Sequence, residues 1–314
     1  MSNISDKKIE NFPEGIWGAV LLPINKSNSI DWTALEDELA ILCQGPLDGI
    51  YSNGTAGEFH NQTAEEYIKL TELVASTATA LNKPFQLGIS HSNPRVTRQR
   101  LLHAIAFKPD GIQFTLPDWW VLSATERLDY MADLHRIAAD TALVLYNPPH
   151  AKQRLTLKEI AELRTVAPSL IGAKLPGGDE TWYQEHHSRL PDFSVFVPGH
   201  RVAFGRPLGA SGSYSNVACL SPAGAVRHWQ QINTDLPAAV ALEYRINRFM
   251  RDSVLALAAR KNLSNTALDK LLAAIGNWGP VTEQCLWPYR SADTDDVKQL
   301  SRIARKLLPE MFEH

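Results

Sequence analysis

Three short segments carry side chains whose types and spacing could do covalent chemistry. Lys174 ends the apolar run Leu170-Ile171-Gly172-Ala173-Lys174, and the turn Pro176-Gly177-Gly178 follows closely. Burial disfavours the charged form of a primary amine, and a neutral amine can attack a ketone to form a Schiff base. Taken alone, such a lysine is more simply one whose stem packs inside while its head reaches water. Tyr146 ends a second apolar run and precedes Asn147-Pro148. It could pass a proton to or from a substrate oxygen, although a rim tyrosine with a satisfied hydroxyl is the plainer reading. The turn Gly54-Thr55-Ala56-Gly57-Glu58 offers backbone N–H groups and one hydroxyl that could cradle a carboxylate. By itself it reads equally well as an ordinary strand–helix turn.

Each of these segments ends a short apolar run, and those runs must position the chemistry. Strands are predicted at 18–24, 49–52, 85–89, 111–114, 142–146, 170–174, 193–197 and 210–214. They are short, rich in aliphatic and aromatic residues, and bounded by Gly, Pro, Asn or Ser, as strands buried on both faces of a parallel sheet are. Between them lie helix-period patterns with start signals: Asp31, Thr63 with Glu66 three residues on, Asn93-Pro94, Ser123 and Thr156. Eight strand–helix units predict an α/β fold, a (β/α)8 TIM barrel with a C-terminal helical appendage. The competing doubly wound sheet lacks its GxGxxG turn after the first strand. The expected division is an N-terminal segment over 1–14, the barrel over 15–220, and C-terminal helices completing and flanking it over 221–314. Active sites of such barrels lie at the C-terminal strand ends, which places Lys174 and Tyr146 on one rim at the ends of adjacent strands.

A chain of 314 residues with 44% hydrophobic and 21% charged residues can bury a sizeable core. A net charge of -3 gives no case for nucleic acid or an anionic membrane as partner. Three widely spaced cysteines, Cys43, Cys219 and Cys285, suggest free thiols in a reducing compartment. The polar stretch 1–10 has no apolar signal region, and no apolar stretch is long enough to span a bilayer. A soluble, cytoplasmic protein is expected.

Together and in this order, the three segments resemble the motifs of the dihydrodipicolinate synthase/N-acetylneuraminate lyase family of pyruvate-dependent class I aldolases and lyases. The resemblance runs from about residue 15 to about residue 219. Weaker matches are Ser92-Asn93, Pro198-Gly199 and the segment from Gly209 to Tyr214. The resemblance implies that Lys174 condenses with the ketone of pyruvate or another 2-oxo acid and that Tyr146 relays protons. It also implies that Thr55, with the backbone of Gly54, Thr55, Ala56 and Gly57, holds the substrate carboxylate. Gly199, Arg201, Tyr214, Trp119 and His150 are further candidates for substrate binding. The protonated imine is itself an electron sink, so no cofactor and no metal are expected. The implied partners are a small-molecule 2-oxo acid and an aldehyde, and the implied assembly is a homo-oligomer, a dimer or tetramer.

Three departures bear on the substrate. The biosynthetic synthase usually has a second hydroxyl residue where this chain has Ala56, and an arginine where it has Ala151, with Lys152 and Arg154 displaced by one and three residues. A tyrosine that reaches a neighbouring subunit's site in many members corresponds to Trp119, which has no hydroxyl to relay a proton. Trp119 and Trp120 could wall a bulky aldehyde portion or pack a subunit interface. These departures favour a different Schiff-base lyase or aldolase, with dehydration an open accompaniment. The alternatives are a genuine 4-hydroxy-tetrahydrodipicolinate synthase and a non-catalytic 2-oxo acid sensor on the same barrel. In the sialic acid branch carboxylates near Arg201 bind the substrate's polar tail, so a cation there suggests an acidic or phenolic distal group. Among other polar features, His186-His187 and the charges Lys83, Arg95, Arg98 and Arg100 read as solvated faces. Glu58 reads as a support for the glycine turn and His60 as a helix cap near the rim.

Overall fold

The computed structural model describes residues 13–313, so the expected N-terminal segment lies outside the described residues except for Pro13 and Glu14. Eight strands pair in chain order: β1 (Gly15–Ala19), β2 (Gly49–Ser52), β3 (Phe85–Gly88), β4 (Gly111–Phe114), β5 (Leu143–Tyr146), β6 (Leu170–Lys174), β7 (Ser194–Val197) and β8 (Gly212–Tyr214). All pairings are parallel, and β8 returns to β1 to close the barrel. The fold is the (β/α)8 barrel read from the strand–helix alternation.

Seven helices cross between successive strands: α1 (Trp32–Gln44), α2 (Ala64–Ala80), α3 (Pro94–Ala104), α4 (Ala124–Ala138), α5 (Leu157–Val166), α6 (Glu180–Arg189) and the short α7 (Val202–Gly205). After β8 come α8 (Asn216–Leu220), α9 (Pro222–Thr234), α10 (Leu236–Phe249), α11 (Ala256–Lys261), α12 (Asn265–Gly276) and α13 (Thr294–Leu307). A π-helical segment, Met250–Leu255, joins α10 to α11. The start signals act as read: Asp31, Thr63, Asn93, Ser123 and Thr156 each accept a backbone N–H of the first turn. Thr63, Ser123 and Thr156 form complete capping boxes with Glu66, Glu126 and Glu159, satisfying N–H groups that the helix cannot pair itself.

Several strand limits shift, most of all the first. β1 begins three residues before the predicted start and ends at Ala19, because Gly15 already hydrogen-bonds to the β8 side at the Ser211 carbonyl. Beyond Ala19 the chain stays buried, and Ile24 makes only an isolated bridge to Ile30. Gly15 and Gly212 allow β1 and β8 to meet closely, since a Cβ on Gly212 would lie 2.0 Å from the Gly15 carbonyl oxygen. β6 carries one extra residue against β5. Leu143 pairs with Leu170 but Val144 pairs with Gly172, so Ile171 is bulged and Tyr146 comes level with Lys174.

Of the polar positions read as solvated, two prove interior and a third is half-buried. Arg100 is buried, donates to the Ser90 carbonyl at 2.5 Å and lies 4.1 Å from the Tyr67 ring centroid. Lys83 is half-buried, with its ammonium donating to the carbonyls of Gly45 at 2.9 Å and Leu47 at 2.7 Å. His186 is buried, stacked on Trp182 at 6.0 Å between ring centroids and facing Phe193. Carbonyls and aromatic rings that come from other elements receive these groups, and no local charge pattern announces them. Arg95 stays exposed, and Arg98 pairs with Asp133 at 3.3 Å. Among the described residues, no helix is long and apolar enough to cross a membrane.

Candidate active site

The in-register ends of β5 and β6 bring amine and phenol together. The Lys174 Nζ sits 4.8 Å from the Tyr146 ring centroid and 5.8 Å from that of Tyr51 at the end of β2. Tyr146 is almost wholly buried, whereas Lys174 is half-buried and keeps contact with an open cavity. That cavity, about 600 Å³, lies over the C-terminal strand ends and takes in Lys174, Tyr146, Tyr51 and Tyr214. Its size suits a small organic substrate.

The inner wall is aromatic and its polar groups are largely committed. Tyr214 is fully buried and its hydroxyl donates to Gln86 Oε1 at 2.7 Å. Burial raises the Tyr214 and Tyr51 phenols above their usual range, and it raises the Cys219 thiol likewise. The mouth carries Arg201 and Arg251 on its wall beside the imidazoles of His150 and His200, and Arg251 is paired with Asp252 at 2.6 Å. His200 is held through its Nδ1 by the Asn216 side-chain amide, and its backbone carbonyl accepts from Asn247 Nδ2 at 2.8 Å. Burial lowers the pKa of both His150 and His200, with the Lys174 charge adding to the effect.

Helix α12 closes one side. Asn265, Leu268 and Asp269 line the cavity, the i, i+3, i+4 spacing that shares one helix face. Burial pushes the Asp269 carboxyl up to about 6, opposed by the charge of Lys174. From another face of α12, Thr266 donates its hydroxyl to the Thr55 carbonyl at 2.8 Å, and the Lys270 ammonium pairs with the Glu58 carboxylate. The glycine turn is thus fastened to the C-terminal helices. Glu58 also accepts the Leu286 N–H at 3.1 Å and adopts a left-handed backbone, φ 52°. Within the turn, the N–H groups of Gly57, Glu58 and Phe59 bond back to Gly54 and Thr55. The N–H groups of Thr55 and Ala56 take no part in those turn bonds.

Of the residues singled out in the sequence, Lys174, Tyr146, Tyr214, His150 and Arg201 share this one cavity. Gly54, Thr55, Ala56 and Gly57 form the turn beside it, outside the residues that line it. Gly199 sits behind the wall: its N–H donates to Asn216 Oδ1 at 3.0 Å, and a Cβ there would lie 2.3 Å from Ser215 Oγ. Trp119 stands away from the cavity, 79% exposed, with the Lys152 Nζ 4.9 Å from its ring centroid. His60 packs edge-on between Phe59 and Tyr289 and caps no helix. Asn216, at the end of the strand-end segment 211–216, lies on the wall as its position there suggests, whereas Tyr51, Cys219 and Asp269 are wall residues not singled out in the sequence as part of a site. For Asp269 a signal was available, a lone carboxylate in the apolar helical run Ala267-Leu268-Asp269-Lys270-Leu271-Leu272.

The dihydrodipicolinate synthetase family model matches residues 12–307 of this chain. The chain is 27% identical over 204 residues to an N-acetylneuraminate lyase of Rhizobium meliloti (strain 1021), covering 64% of this chain and 66% of that protein. It is 24% identical over 304 residues to a DapA-like lyase of uncharacterized function from Thermococcus onnurineus (strain NA1), covering 95% and 99% of the two chains. Among solved structures, it superposes with a TM-score of 0.80 at 21% identity on the E. coli K12 prophage protein YagE in complex with pyruvate, covering 94% of this chain and 98% of that one.

Proposed function

This chain belongs to the dihydrodipicolinate synthetase family, whose members include pyruvate-dependent class I aldolases and lyases, and we propose that it is itself a Schiff-base-forming lyase or aldolase. Its substrate is pyruvate or a 2-oxo acid that yields pyruvate, and its partner in the reaction is an aldehyde. The observation that carries this reading is the level pairing of Tyr146 with Lys174 at the edge of one open cavity.

In this mechanism the Lys174 amine adds to the ketone, and Tyr146 protonates the departing oxygen as the carbinolamine loses water. Thr55, with the N–H groups of Thr55 and Ala56, holds the carboxylate. Tyr146, left as the phenolate, then takes the proton of the C4 hydroxyl as the bond between C3 and C4 breaks; the iminium accepts the released electron pair, so the aldehyde departs and an enamine remains. Protonation at C3 and attack of water on the imine then release pyruvate and the free amine. The Arg201 guanidinium on the cavity wall supports a substrate with an acidic or phenolic distal group. Ala56, Ala151 and the hydroxyl-free Trp119 count against the lysine-biosynthetic synthase. We place the enzyme in the cytoplasm as a dimer or tetramer, where exposed Trp119 and Trp120 would meet another copy.

Borohydride reduction in the presence of pyruvate tests the reading directly. A pyruvate-dependent mass increase on the peptide bearing Lys174 is expected, and its absence from native protein at saturating pyruvate would remove the Schiff-base mechanism.

A further inference from the structure

The cavity that holds Lys174 contains one carboxylate, Asp269, for which neither the amine nor the phenol relay accounts. Its backbone is fixed from outside: one helical turn of α12, from Thr266 to Lys270, is tied to the glycine turn at Thr55 and Glu58. The backbone that carries Asp269 therefore cannot move away without loosening that attachment. Among the described residues its side chain receives one hydrogen bond, from Asn265 Nδ2 at 3.3 Å on its Oδ2. This leaves acceptor capacity facing the cavity.

The other groups on the wall are less suited to accept a proton from carbon. The Tyr214 hydroxyl is committed to Gln86, and burial raises the Tyr51 phenol and the Cys219 thiol well above neutrality. His200 Nδ1 is engaged by Asn216, and His150 is exposed at the mouth. Tyr146 serves the substrate oxygen in the mechanism above.

We propose that Asp269 is the base that takes the proton from C3 of a 2-oxo acid held as an imine on Lys174, and that returns it when the enamine is quenched. The inference rests on the Schiff-base reading given above. In the forward step the C3–H bond breaks, its electron pair becomes the C2=C3 double bond, and the iminium π pair moves onto nitrogen. The proton rests on the Asp269 carboxylate. Nothing is oxidised or reduced, and the reverse step restores the imine. Burial raises this carboxyl to about 6 while the Lys174 charge opposes the rise. A base of that strength can both accept and return a proton near neutral pH. The groups that face it are Lys174 on β6, Tyr51 on β2 and Cys219 on α8.

Pyruvate alone suffices as probe. In deuterated water, NMR follows loss of the methyl protons of pyruvate, while borohydride trapping separately reports the imine on Lys174. The native protein is expected to trap pyruvate and to exchange its methyl protons, with a rate that rises with pH through about 6. Asp269→Asn should still trap pyruvate, exchange roughly 100-fold more slowly and lose that rise. Asp269→Ser is read by the same criteria should the asparagine variant fail to fold, and Asp269→Glu should recover part of the exchange. A folded Asn or Ser variant that exchanges within about threefold of native, or that keeps the rise through pH 6, overturns the assignment. A folded variant that no longer traps pyruvate also overturns it, by moving Asp269 to imine formation. If the native protein traps no pyruvate, the Schiff-base reading itself falls, an outcome distinct from the others.

Discussion

The Lys270 ammonium is sealed against the Glu58 carboxylate with no solvent exposure on either side chain, across 212 positions of sequence. The pair joins the turn after β2 to α12, the same helix that delivers Asp269 to the cavity. Removing one partner of a buried ion pair leaves the other charge unpaired in a poorly solvating interior. Lys270→Met is therefore expected to lower unfolding stability by about 3–5 kcal/mol, read from urea denaturation. The double variant with Glu58→Gln should lose less than the two single losses summed, because neither orphan charge remains. Additive losses would show that the two groups act independently.

Tyr146→Phe keeps the ring beside Lys174 and deletes only the hydroxyl. Its kcat is expected to fall by roughly 10²–10⁴, while borohydride still traps some pyruvate on Lys174. Turnover close to native would mean that another group relays the proton.

At the mouth, Arg201→Ala should separate binding from chemistry. For 2-oxo acids with an anionic distal group, KM should rise roughly tenfold, equivalent to about 1.4 kcal/mol, with little change in kcat. Substrates with a neutral tail should be unaffected. Equal KM values for native and variant across both sets would dismiss Arg201 as the contact for the tail.

His186 makes stability depend on pH in a defined window. Burial, with the neighbouring His187 charge, holds its pKa down to about 4 from 6.5. Between those values the unfolded chain binds a proton that the native state excludes, so stability is fully present above 6.5 and falls as the pH drops toward 4. The loss should amount to at most ~3 kcal/mol. Urea midpoints measured across this range should slope for the native protein and flatten for His186→Phe. An unchanged slope in the variant would assign the pH dependence elsewhere.

Most of the barrel could be read locally, because its determinants are local. The strands at 49–52, 111–114 and 170–174 have the predicted limits, and the five helix caps lie where Ser, Thr, Asp and Asn precede an apolar period. Lys174 and Tyr146 could be found for the same reason, since each ends its own strand. The remainder of the cavity wall depends on distant contacts. Thr55 meets Thr266 from 211 positions away, and nothing in either segment specifies the other. Arg100, Lys83 and His186 depart from the solvated faces expected of them because a carbonyl or a ring from another element, invisible in the local charge pattern, receives each of them. Asp269 differs in that its apolar neighbours mark it locally, yet its place on the cavity wall depends on how α12 docks over the barrel, which no strand end records.

The extra residue in β6 makes the amine–phenol pair a matter of counting. Side chains along a strand alternate between faces, so the position of Lys174 against Tyr146 depends on the number of residues after Leu170 as well as on their types. Were Ile171 deleted and the pairing of Leu143 with Leu170 kept, the lysine would remain opposite Tyr146 only if the bulge vanished with it; inserting a residue there would leave Ala173 level with the tyrosine. The length of this segment is thus under a parity constraint that ordinary substitutions do not feel. Chains that differ freely in side chains between β5 and β6 can still form the pair, whereas an uncompensated change of one residue within β6 would separate its two members.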